Sequence, residues 1–216
     1  AYKNKQFALA FGEHSHTEGT STVAYGTGAH AEGNLNLAIG QSSHAEGNKT
    51  TASGRYSHAE GVLTKAEGHA SHAEGTSTIA TRTSHAEGGS TEATGNYSHV
   101  EGQATNSLGK ASHSEGRNSI SEGEYSHAEG YQTITSNQAE HAEGKFNVSN
   151  VGITIHSVGI GTLNSKRKNA HEITTDGKHY VFGIGGYDGT NLDTAKSVQE
   201  VINELVNKLN EITTND

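Results

Sequence analysis

Ser57-His58-Ala59-Glu60-Gly61 and, fourteen residues on, Ser71-His72-Ala73-Glu74-Gly75 carry the pattern that decides the architecture. The core of it, His-x-Glu-Gly, starts at His16, His30, His44, His58, His72, His85, His99, His113, His127 and His141. Every step is 14 residues except the 13 between His72 and His85. A short fixed period is the mark of a solenoid, in which each repeat is one turn stacked on the last. Ten equal copies describe a rod; an enzyme needs one good site.

Within each turn the unit is seven residues. Glycine recurs at that step from Gly12 to Gly75 and again from Gly88 to Gly130, and Asn137 stands where the next one is due. Asparagine is the side chain that best tolerates positive φ, so this exchange predicts a left-handed backbone at the glycine positions. The missing residue near Thr81–Thr83 predicts a defect confined to one corner of one coil. Odd half-turns read Ser-His-Ala-Glu-Gly; even ones read Thr-x-Ala-x-Gly, as in Thr50–Gly54. Strand side chains alternate between faces. Ser57 and Ala59 therefore point one way, His58 and Glu60 the other. One face of both strands is small throughout, which fits only a very narrow coil with the small residues inside.

Composition agrees. The 216 residues include 28 Gly and no Pro, Cys, Met or Trp, and 30 % are hydrophobic, against about 45–50 % in ordinary globular domains. The strict period argues against disorder, which low hydrophobicity alone would suggest. A formal net charge of −9 without a basic stripe disfavours nucleic acid. No run reaches the roughly 18 apolar residues of a membrane span. No secretory signal is visible, and since the chain opens on Ala1 that says little about location. The lack of Cys removes disulfide and thiolate–metal readings.

A core of Ser, Thr, Ala and Gly buries little apolar area, at about 0.8 kcal/mol per methylene, whereas ordering each residue costs roughly 1–2 kcal/mol. Lateral partners are expected. The outward residues of the even half-turns are mixed (Val23/Tyr25, Leu37/Ile39, Lys65/Glu67, Glu92/Thr94), while the odd ones are His and Glu in all ten copies. Variation suits solvent and uniformity suits an environment that repeats. The expected trimer-axis ladder is therefore His16/Glu18, His30/Glu32, His44/Glu46, His58/Glu60, His72/Glu74, His85/Glu87, His99/Glu101, His113/Glu115, His127/Glu129 and His141/Glu143.

At this point the chain resembles the YadA-like head of trimeric autotransporter adhesins over roughly residues 7–144. Leu37-Ala38-Ile39-Gly40 and Leu9-Ala10-Phe11-Gly12 are similar to that family's heptad unit. The resemblance implies a left-handed parallel β-roll with three chains side by side. His and Glu stand where the family has aliphatic residues, which implies a polar seam. Farther on, Gly159-Ile160-Gly161, Arg167–Ile173 and Gly185-Gly186-Tyr187-Asp188-Gly189 resemble segments near the distal ends of bacteriophage and prophage tail fibres. Together these imply an extracellular homotrimeric fibre on a virion or a bacterial surface, with a host receptor or glycan as its partner.

The division expected is a β-roll head of ten coils over 1–144, a β cap or connector over 145–192, and a coiled-coil helix over 193–216. His171–Thr175 and Lys178–Gly183 flank Asp176-Gly177 as a hairpin. Ser197 and Glu200 form a capping box, and Val198, Ile202, Leu205, Leu209 and Ile212 step by 4, 3, 4 and 3 as a coiled-coil seam. The alternative is a helix packed on its own domain.

His and Glu two apart on a strand point the same way and both ligate transition metals. The competing readings are a hydrogen-bonded His–Glu ladder without metal, with charged Glu and protonated His stabilising each other, and solvent-facing pairs. No cofactor is expected, with metal on the axis as the exception. His14, His69, His156, His171 and His179 read as scattered surface or cap residues. A Ser/His nucleophile pair is excluded because adjacent strand residues point oppositely, and no enzymatic activity is expected. Tyr56, Tyr97 and Tyr125 each sit two before a motif His, in corners. Exposed aromatics mark recognition, so they are candidate receptor contacts; the alternative is that they shield turn backbone.

Overall fold

Each seven-residue unit folds as a short strand and a corner, and two units close one turn. The structure is a computed structural model that describes residues 7–150 and 152–214. The first six residues of the expected head and the last two of the expected helix lie outside the described residues. Even half-turns supply the odd-numbered strands, from β1 (Leu9–Ala10) to β19 (Ile134–Thr135), which stack in sequence order into one parallel ten-stranded sheet. The His-x-Glu-Gly motifs supply the even-numbered strands from β2 (His16–Thr20) to β20 (His141–Lys145), which build the opposite parallel sheet. Every motif histidine pairs with the next, His58 with His72 and so on. The one-residue deletion leaves this register intact: His72 still pairs with His85 and Ile79 with Glu92. The missing residue is absorbed at the corner, where Arg82 takes a φ of 58°.

The interior is as narrow as the alternation requires. Ala24, Ala31, Ala38, Ala45, Ala52 and Ala59 are all fully buried, and Thr22, Ser57 and Thr64 line the corners beside them. Beyond Val100 the alanine column passes to Ser107, Ser114 and Ser121, equally buried. The serine before a motif histidine has a recurring task. Ser57 Oγ donates to the Gly54 carbonyl at 2.7 Å, Ser71 Oγ to Gly68 at 2.8 Å, and Ser126 Oγ to Gly123 at 2.7 Å. A carbonyl left over at the corner is thereby satisfied within the coil.

Both glycine columns are closed to a side chain by the next coil but differ in backbone, and the expectation from Asn137 is corrected here. The motif glycines have φ near +100°, as at Gly61. The glycines of the even half-turns do not; they are required by space. A Cβ on Gly40 would lie 1.9 Å from the carbonyl oxygen of Gly54 in the next coil. Asn137 belongs to this second column and its φ is not positive. It tolerates a side chain because it ends the column. Its amide donates to Glu140 at 3.0 Å, Asn150 O at 3.0 Å and Thr154 O at 2.9 Å, closing the end of the stack.

The parallel stacking runs past Gly144. Strand β21 (Thr154–Ile160) adds an eleventh rung, pairing His156 with His141 and Gly159 with Gly144. The turn count is thus about eleven, not ten. Antiparallel β22 (Asn169–Thr174) and β23 (His179–Val181) then complete a thirteen-stranded sheet, with the Asp176-Gly177 hairpin where expected. Asn169 and Tyr187, from the segments either side of this hairpin, meet at the fully buried Glu172. Its carboxylate accepts hydrogen bonds from Tyr187 Oη at 2.6 Å, Thr154 Oγ1 at 2.6 Å, Asn150 Nδ2 at 2.8 Å and Asn169 Nδ2 at 3.1 Å. Burial and the Glu172 carboxylate push the Tyr187 hydroxyl up, holding it protonated as a donor.

Helix α1 (Val198–Thr214) opens with the capping box: Ser197 N donates to Glu200 Oε2 at 2.7 Å and Glu200 N to Ser197 Oγ at 3.3 Å. None of its residues is buried, so it does not pack its seam on its own domain.

Gly40→Ala should lower the melting temperature by several degrees, corresponding to about 1–3 kcal/mol of overpacking. Gly89→Ala, where nothing lies within 4 Å of the new methyl, should be neutral or slightly stabilising. Parallel thermal melts of the two variants check this.

Candidate functional site

The His/Glu stripe follows from strand alternation. With Ala59 and Ser57 committed to the interior, His58 and Glu60 must point outward, and the 14-residue register sets each imidazole on the one before it. From His30 to His141 adjacent rings lie 4.6–5.0 Å apart and within 10° of parallel. That is the strand spacing of a sheet expressed in side chains. The column does not stop at the last motif. His156 stands 5.2 Å from His141, His171 5.2 Å from His156, and His179 4.4 Å from His171. Three histidines expected to be scattered therefore prolong a column of thirteen rings. The signal was present in His156-Ser157-Val158-Gly159, which repeats the motif with Val158 in place of Glu.

The carboxylates run alongside. His Nε2 and the nearest Glu oxygen are separated by 3.4 Å at His58–Glu46, 3.5 Å at His72–Glu74 and 3.4 Å at His127–Glu115. These are ion-pair distances within one chain. The Nε2 atoms of His30 through His141 are buried and have no hydrogen-bond partner. The side chains are nevertheless about one third exposed at their other atoms, and a groove lined by Glu18, Glu32, Glu46 and their glycines runs along the stripe.

Toward the C-terminal end the His–Glu pairs are staggered by one coil. His141 Nε2 lies 3.5 Å from Glu129 in the coil before it, and Glu143 lies 3.7 Å from His156 in the coil after it. The same stagger pairs His44 with Glu32, His58 with Glu46, His113 with Glu101 and His127 with Glu115, and β21 continues it by setting His156 on His141. Glu143 also ends the carboxylate row, since the residue stacked on it is Val158. It is therefore the terminal member of a staggered row and not the partner of its own histidine.

The electrostatics also differ from a ladder of alternating charges. Burial holds His44, His58, His85, His113 and His127 below the usual imidazole range, and the stacked neighbouring histidines push the same way. Carboxyls in successive coils share protons. Glu46 is pushed up to about 7, first by hydrogen bonding to Glu60 and then to Glu32. Glu115 is pushed up to about 7 by Glu101, and Glu87 is raised, again by Glu101. Their partners Glu32, Glu60, Glu101 and Glu129 are held below the ordinary value. Like charges one strand spacing apart cannot all ionise freely, so the column divides into protonated and ionised members.

Several of these groups form compact donor sets. His44, Glu46 and His58 bring three ligand atoms within 4.8 Å of one another, and the same holds around Glu60, Glu74, Glu87 and Glu115. Each set takes two histidines from adjacent coils and the glutamate of the first. Among the described residues Glu143 belongs to no such set.

The three corner tyrosines share one column, with φ of 58–60°. Tyr56 is 50 %, Tyr97 61 % and Tyr125 50 % exposed. The same column elsewhere carries Gly28, Ser42, Ala70 and Ala111, so the corner does not demand an aromatic ring. Arg55 lies over Tyr56 at 5.1 Å and donates to its hydroxyl at 3.0 Å; Lys110 lies over Tyr125 at 5.6 Å. The seam of α1 is open as well: Ile202, Leu205, Leu209 and Ile212 are exposed and Val198 half-buried. Among the described residues no helix is long and apolar enough to cross a membrane. The chain matches no protein-family model and no curated protein sequence.

The pH dependence follows from these directions. Histidines lowered from 6.5 contribute stability that is complete above that value and lost as pH falls through their folded pKa. Glu46 and Glu115, raised from 4.5, contribute stability that is complete below 4.5 and lost as pH rises through about 7. Above pH 6.5 only the carboxyl contribution still changes, so the melting temperature should fall as pH rises from 6.5 through about 7. The combined Glu46→Gln and Glu115→Gln variant should lose the alkaline decline and keep the acid one, as a pH series of thermal melts will read.

Proposed function

We propose that the chain is a segment of a non-enzymatic homotrimeric fibre displayed outside the cell, a phage or prophage tail fibre that carries or provides a host-attachment surface. The observation that carries this reading is the open apolar seam of α1. Leu205 is 61 %, Leu209 60 % and Ile212 64 % exposed in one chain, and a two-heptad stripe of that kind is covered when parallel copies associate in register.

Two further features support it. A thin coil with an alanine and serine interior has little apolar burial of its own. Its His/Glu side is uniform while its other outward side is mixed, as a side repeated around a common axis would be. In this reading the roll is left-handed, the motif sheets face one another across the trimer axis, and the corner column with Tyr56, Tyr97 and Tyr125 looks toward a host receptor or glycan. At roughly 4.8 Å per coil the head extends about 50 Å.

Size-exclusion chromatography with light scattering should return about three times the 22.6 kDa of one chain. Leu205→Asp with Leu209→Asp should lower that mass or destabilise the trimer. A mass of one chain at micromolar concentration would contradict the proposal.

A further inference from the structure

The His/Glu stripe also has the composition of a metal site that one chain completes by itself. Each donor set around Glu46, Glu74 or Glu115 offers two imidazole nitrogens and a carboxylate from adjacent coils, with ligand atoms within 4.8 Å of one another. The imidazole nitrogens involved are buried and hydrogen-bonded to nothing. A buried polar atom without a partner calls for an ion or a water. Two nitrogens and one oxygen are donors of intermediate softness, suited to zinc and its neighbours among the divalent transition metals rather than to calcium or magnesium. Metal–ligand bonds of about 2.0–2.2 Å require the three atoms to draw closer than they stand. The two imidazoles, stacked 4.6–4.8 Å apart, must tilt toward the ion, and the glutamate, long and about one third exposed, closes on it.

We propose that the stripe binds divalent transition-metal ions, one per pair of adjacent coils, through His–Glu–His sets drawn from a single chain. The stoichiometry is limited by the histidines. Sets that share a ring cannot both be filled, since each Nε2 has one lone pair. His58 belongs to the sets of Glu46 and Glu60, and His85 to those of Glu74 and Glu87. At most three of the five sets can be occupied together, for instance those of Glu46, Glu74 and Glu115. Three ions per chain is therefore expected, not one per histidine. Metal bridging neighbouring coils pins them together, so binding should also raise the melting temperature.

The ligands come from one chain, so the inference is independent of the trimeric reading. The test is titration of the full chain with Co²⁺ at pH 7.5, followed by its visible absorption, with Zn²⁺ as competitor. Saturation near three equivalents per chain, with the intense bands of a four-coordinate ion and displacement by Zn²⁺, is the expected result. The triple variant Glu46→Gln, Glu74→Gln and Glu115→Gln should saturate near two equivalents, at the Glu60 and Glu87 sets it leaves intact, and adding Glu60→Gln and Glu87→Gln should weaken binding at least tenfold, while His14→Gln with His69→Gln should bind as the unaltered chain does. Non-saturating binding, the weak bands of a six-coordinate ion, or binding by the unaltered chain that follows His14 and His69 would overturn the proposal. The absorption bands decide the matter even if the triple variant fails to fold.

Discussion

Everything in this molecule follows from how closely one coil sits on the next. Where a Cβ would be placed on Gly26 or Gly54, a carbonyl oxygen of the following coil already stands about 2 Å away. Coils at that distance leave room inside for Ala, Ser and Thr and for nothing larger than Val100 along the strands. The hydrogen-bonded backbone, not an oily centre, is what holds the rod. Bonds such as His58 N to Ser71 O and Thr51 N to Thr64 O, both 2.9 Å, recur at every level. Repeat proteins of this kind gain stability by adding neighbours, each rung supporting only the next.

The same spacing governs the outside. Side chains repeated every 14 residues are brought one strand spacing apart whether or not their chemistry welcomes it. For alanine this is packing; for histidine it is a stack of rings that resists protonation; for glutamate it is a row of carboxyls that must share protons. The stripe is thus an ion-paired row that stays about one third exposed. It is a line of groups whose protonation is collective, and which a cation or a facing copy of the chain would satisfy. The C-terminal end follows a different logic. There Glu172 is fully buried and held by four donors, so the cap is organised around one hydrogen-bonded carboxyl, as the last coil of the rod is around Glu140.

Much of the architecture could be read before any coordinates. The period set the coils, the alternation of small and large residues set inside and outside, and Ser197 with Glu200 marked the start of α1. The harmless slip at Thr81–Thr83 was legible too, because a deletion in a corner does not disturb strand register. What was not legible had physical causes. Both glycine columns look alike in sequence and both face a carbonyl of the next coil, yet only one has positive φ, so Asn137 is no guide to the backbone. His156 escaped because its step from His141 is 15 and its glutamate is replaced by Val158. Whether a glutamate meets the histidine of its own coil or of the next was not legible either, since both pairings occur. The direction of the histidine pKa shifts was missed because pairing with Glu was weighed and burial against other histidines was not.

The central claim is that the His/Glu sides meet across an axis between identical chains. The absence of cysteine allows it to be measured directly, by pulsed electron paramagnetic resonance on a nitroxide attached at Glu87→Cys and, separately, at Glu92→Cys on the opposite sheet. The account predicts an inter-chain dipolar signal for both, with the Glu87 labels the closer pair. No inter-chain signal, or Glu92 labels closer than those at Glu87, would contradict it.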